Sequence, residues 1–97
     1  MTKIISRKEW NDKKNHNYAS IIGGVRHILD QDERGTCLTP VIIREDVEKV
    51  YNALNESEKY GICFGLFPAR IQETMKQHFI HASDLMQYDA EVQKVKA

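Results

Sequence analysis

The chain predicts an α+β fold, a small single domain over residues 1–97 that is mostly helical with one β-hairpin; an all-α arrangement is the alternative. Apolar residues recur at helical spacing in three separate segments. β-Prone residues flank a polar turn between Tyr18 and Ile43, and two glycines and a proline break the apolar run from Gly61 to Arg70. A chain of 97 residues supports one modest core.

The first helix is marked at its start. Ser6 can cap the amide of Glu9, Glu9 can reach back to Ser6, and Ile5 and Trp10 occupy the two positions of a hydrophobic staple. Lys13 and Lys14 suit the negative end of that helix, and Trp10 reads as a packing anchor. From Tyr18 to Leu29 the spacing admits a helix, yet Gly23-Gly24 sits at its centre, where each glycine costs about 1 kcal/mol. A hairpin is preferred: strand residues up to Leu29, a turn over Asp30–Gly35, and a return strand from Thr36 to Ile43. Pro40, which has no N–H, then belongs at an edge or a bulge.

Val47, Val50, Tyr51 and Leu54 predict the next helix, with Glu45 and Asp46 at its positive end. Asn55 to Tyr60 reads as a polar link. Pro68 fits the start of a helix carrying Ile71, Met75 and Phe79, and Ser83 can cap a last helix striped by Leu85, Tyr88, Val92 and Val95. That stripe packs within the domain or pairs with another chain, so a homodimer is one expectation.

Gly61 to Arg70 is nearly uncharged and rich in aromatic residues, and reads as an apolar loop entering a helix at Pro68. Ile62, Phe64, Leu66 and Phe67 either fill the core or stand out as a patch that anchors a protein partner, with Arg70 on its rim. Within the run, Ile62 and Cys63 are assigned to the core. Phe64, Leu66, Phe67, Pro68 and Arg70 are the candidate contacts, and the apolar residue before Pro68 suits a prolyl isomerase.

Composition narrows the function. Fourteen basic and 14 acidic residues cancel, which fits a protein partner better than sequence-specific nucleic-acid binding. Arg7, Lys8, Lys13 and Lys14 beside Trp10 and Tyr18 leave a DNA-binding regulator as an alternative, and the last helix leaves a self-assembling structural protein. No catalytic motif is present, so no enzyme and no cofactor is expected. His78, His81 and Asp84 have partial metal spacing, but Ser83 predicts a break and no metal is expected. Cys37 and Cys63 have no Cys-x-x-Cys pairing and read as buried free thiols. No segment reaches the length of a membrane span, and a cytoplasmic location is expected.

With these residues in view, the whole chain, from Met1-Thr2-Lys3-Ile4-Ile5-Ser6 through Phe67-Pro68, resembles the small anti-RecBCD recombination modulators of Salmonella lambdoid phages. The likeness lies in length and overall sequence rather than in a diagnostic motif. It implies a non-enzymatic protein acting in the host cytoplasm. Such a protein binds the RecC subunit of the RecBCD helicase-nuclease, alters its response to Chi and diverts DNA ends into phage recombination. It also implies Pro68 as a contact for a host prolyl isomerase.

Overall fold

The computed structural model describes residues 2–96. Among them the elements run β1 (Lys3–Ile5), α1 (Arg7–Asn15), β2 (Ala19–Ile22), β3 (Val25–Asp32), β4 (Gly35–Ile43), α2 (Arg44–Ala53), α3 (Glu56–Lys59), α4 (Ala69–Gln77) and α5 (Ala82–Lys96). The fold is α+β. The chain forms two compact units, one through Glu45 and the other from Asp46.

The first unit holds a four-stranded sheet in the order β1-β4-β3-β2. Where one hairpin is expected, there are three antiparallel strands, because Gly23-Gly24 is itself a turn. Both glycines have positive φ, 58° and 73°, and Ile22 pairs with Val25 across them. The residues that weaken a helix here supply the left-handed backbone that a two-residue hairpin requires. The second turn is tighter than the expected Asp30–Gly35: Asp32 pairs with Gly35, leaving Glu33 and Arg34 at the tip. β1 adds a parallel strand beside β4, with Lys3 next to Val41 and Ile5 next to Ile43.

Pro40 lies in β4, an inner strand, rather than at an edge. The alternation of the antiparallel ladder explains the tolerance. Leu29 N–H bonds Tyr18 O on the β2 side, so Ile28 and Arg26 turn their backbone groups to β4, where they meet Thr39 and Val41. The nitrogen of Pro40 therefore faces the other way, where pairing with β1 starts only at Val41.

Ser6 caps α1 as expected, its Oγ accepting the Glu9 N–H at 3.1 Å. Ile5 and Trp10 enter one buried cluster with Ile28, Val41 and Ile43. The Arg26 guanidinium lies 4.7 Å over the indole, a contact worth about 0.5–2 kcal/mol. Trp10 is thus a packing anchor covered on its face.

In the second unit, the expected periodicity is realised: Val47, Val50 and Tyr51 of α2, and Leu54 just past its end, are all buried. The link expected over Asn55–Tyr60 instead contains α3, begun by a complete capping box: Asn55 Oδ1 accepts Glu58 N–H at 2.8 Å and Glu58 Oε1 accepts Asn55 N–H at 2.9 Å. The last helix starts at Ala82, ahead of Ser83, and Asp84 Oδ2 accepts the His81 N–H at its start. Along α5 the expected stripe grades outward, from fully buried Leu85 through half-buried Tyr88 and Val92 to exposed Val95.

Both cysteines are free, but neither is buried. Cys37 lies toward the exposed tip of the β3–β4 hairpin, and Cys63 sits on the outer side of a short helical turn whose inner side is Ile62. Apolar neighbours in sequence do not bury a residue where the backbone turns every residue to a different side.

Candidate partner-binding surface

The segment between α3 and α4 is built from backbone hydrogen bonds. Gly61 N–H donates to Glu58 O, and Gly61 O accepts both Phe64 N–H (3.1 Å) and Leu66 N–H (3.0 Å), closing a 3₁₀ turn over Ile62–Phe64. A side chain at position 61 would bring its Cβ to 3.0 Å from Leu66 O, and Gly65 ends the turn in the left-handed region at φ 71°. Each glycine therefore meets a specific steric demand.

Pro68, half-buried, is the N-cap of α4, and the Phe67–Pro68 bond is trans. Gln72 Nε2 donates to Phe67 O at 2.8 Å and ties the loop to the first turns of that helix. Arg70 ties it from the other side. Its guanidinium holds Glu58 in a two-pronged pair, 2.7 Å on each prong, and also donates to Ala53 O at 3.1 Å. Bidentate geometry of this kind fixes orientation as well as charge.

This bracing sorts the apolar run into two sides. Ile62 is completely buried, whereas Phe64 is 74% and Leu66 66% exposed, with Tyr60 just before the turn at 80%. Phe67 is half-buried, and with Leu66 and Pro68 it lines a shallow depression that reaches Ser57 and Gln72. The sequence-selected Phe64, Leu66, Phe67 and Pro68 thus share one loop. Arg70 joins them through Glu58 rather than as a free cation. Tyr60 falls in a stretch whose composition is that of a polar link, and no periodicity marks it.

The Arg70 guanidinium, then the Asn55 N–H, holds the Glu58 carboxyl down at about 2, against an ordinary 4.5. Arg70 is correspondingly raised, chiefly by the same hydrogen bonds. A depressed carboxylate contributes stability that is fully present above 4.5 and lost as pH falls through the folded value near 2. Acid unfolding followed by circular dichroism is expected to show this contribution fading between those limits. In Glu58→Gln that part of the pH dependence flattens, and in Arg70→Ala the Glu58 titration, read by NMR, moves back toward 4.5.

The remaining candidates are arranged otherwise. Phe79 takes a left-handed φ of 56°, separating α4 from α5; His78 Nδ1 then lies 3.5 Å from Asp46 Oδ2, while Asp84 caps His81. Among the described residues no three His, Cys, Asp or Glu side chains gather to hold a metal. Tyr51 donates to Asp89 Oδ1 at 3.0 Å, meets Tyr88 edge-on and carries Lys59 over its ring at 4.7 Å. Burial, then the Asp89 hydrogen bond, raises its hydroxyl pKa. Near the basic residues of α1, the Trp10 face is already covered by Arg26 and is not open for base stacking.

No protein-family model matches the chain, and neither a curated protein nor a solved structure matches it. No helix among the described residues is long and apolar enough to cross a membrane.

Proposed function

We propose that this chain is a non-enzymatic modulator that binds the RecC subunit of the host RecBCD helicase-nuclease in the cytoplasm and alters its response to Chi in favour of phage recombination. The observation that supports this reading is the loop between α3 and α4, where Tyr60, Phe64 and Leu66 are held out in solvent by a backbone braced from both sides. Large apolar side chains on a rigid mount lose little freedom when a partner covers them, and aromatic anchors dominate protein interfaces. The resemblance to the anti-RecBCD modulators supplies the partner, and the neutral charge suits a protein surface.

Phe67-Pro68, at the end of the same loop, is the proposed handle for a host prolyl isomerase. Pro68 is half-buried and lines the depression together with Leu66 and Phe67. The test is capture of purified RecBCD, and of RecC alone, on the tagged chain at modest salt, together with digestion of linear Chi-containing DNA. Stable capture and a changed Chi-dependent fragment pattern are expected, with no nuclease activity from the chain alone. Absence of a complex with either RecBCD or RecC removes this reading.

A further inference from the structure

β2 is an edge strand, and nothing in its sequence blunts that edge. Among the described residues it pairs only with β3, and from Asn15 to Val25 there is no Lys, Arg, Asp, Glu or Pro, the residues that ordinarily keep a bare edge from pairing. Ala19 packs partly against the core, but the larger side chains are open: Ile21 is 46% and Ile22 48% exposed, and Tyr18, just before the strand, 53%. The bond from Leu29 N–H to Tyr18 O, at 2.8 Å, fixes which backbone groups are free. The Tyr18 carbonyl, and the backbone groups of Ser20 and Ile22, turn to β3, while the Tyr18 N–H donates to Lys13 O at 2.7 Å; Ala19 and Ile21 therefore point theirs outward.

We propose that β2 pairs antiparallel with β2 of a second copy of this chain, about a two-fold axis at Ser20, joining two four-stranded sheets into one continuous sheet. The outward groups select this register. Ala19 meets Ile21 of the second copy and Ile21 meets its Ala19, exchanging about four hydrogen bonds. On one face each Ile21 side chain then covers the small Ala19 of the other copy. On the opposite face each Tyr18 stands beside the other copy's Ile22, the aromatic and β-branched pairing that stabilises sheets, with the two Ser20 residues between. Centring on Ile21 instead would oppose Ala19 to Gly23, whose positive φ takes it out of the strand.

A second copy fits because one two-fold operation matches both ends of the strand at once and sets a segment without formal charge against another. The strand is short, so the interface falls below the about 1,200 Å² of standard stable complexes, and the dimer is weak and reversible. β2 belongs to the first unit, whereas the α5 stripe and the loop between α3 and α4 belong to the second.

Sedimentation velocity between about 1 µM and about 1 mM is expected to show the mass rising from monomer toward dimer. Ile21→Lys, with the circular dichroism spectrum of the parent, is expected to weaken association at least about tenfold. A second variant reads the register directly. In a background of Cys37→Ser and Cys63→Ser, Ser20→Cys places two thiols at a pair whose Cα atoms stand about 4.5 Å apart, within disulfide reach, and mild oxidation is expected to trap a covalent dimer. Ile22→Cys in the same background faces Tyr18 and is expected to stay monomeric on a non-reducing gel. A monomer mass across the whole range overturns the proposal. So does a dimer that Ile21→Lys leaves unchanged and that Ser20→Cys does not trap.

Discussion

Ile62→Ala is expected to lower folding stability by about 2–5 kcal/mol, the range for removing a fully buried aliphatic side chain and leaving its space unfilled. Ile62 has no exposed surface, and it sits at the first position of a 3₁₀ turn whose carbonyl also accepts the Gly65 N–H. Tight packing gives its neighbours little room to collapse into the gap, so the loss of apolar contact and the cavity add. Phe64, two residues on, is the internal control. It is larger, but at 74% exposure Phe64→Ala is expected to change stability by no more than about 0.5 kcal/mol. Urea unfolding of the two variants checks this, with an unchanged slope showing that the midpoint shift reports stability. The reverse order would mean that the turn presents the opposite side to solvent.

The same turn shows where the sequence stops being readable. α2 was legible because four apolar residues at helical spacing have one geometric solution, and Ser6 with Ile5 and Trp10 was legible because a cap and a staple are local arrangements. Pro68 at the mouth of α4 belongs to the same class. A 3₁₀ turn of three residues has no period to read, so burial of Ile62 and exposure of Cys63 and Phe64 follow only from the path of the chain. The expectation that Cys63 would share the core with Ile62 failed for that reason.

Two other elements failed differently. α3 carried its signature in plain view, Asn55 followed three residues later by Glu58, yet one turn of polar residues has no apolar face to attract notice. β1 is three residues long, and its parallel partner lies nearly forty positions away, beyond any local pattern. Phe64, Leu66, Phe67 and Pro68 lie on one loop, as their closeness in sequence requires, but the pairing of Arg70 was not legible. Glu58 is 12 residues away, and only the return of the chain through the 3₁₀ turn brings carboxylate and guanidinium together.

That role makes the binding prediction selective. Phe64→Ala combined with Leu66→Ala is expected to weaken capture of RecC by about 30- to 900-fold, corresponding to the about 2–4 kcal/mol of a hot-spot cluster, while leaving the unfolding midpoint in place. Both side chains are mostly exposed, so their removal opens no cavity and frees no buried polar group. Arg70→Ala is expected to act by another route, weakening binding less and releasing the Glu58 carboxyl toward its ordinary titration, because it braces the loop from below. Pro68→Ala separates the remaining role: loss of a captured prolyl isomerase with RecC retained assigns the proline to the isomerase. Binding by isothermal titration with purified RecC measures the first two effects on one scale. If the Phe64 and Leu66 double variant binds as tightly as the parent, the loop between α3 and α4 is not the RecC contact, even where the complex itself forms.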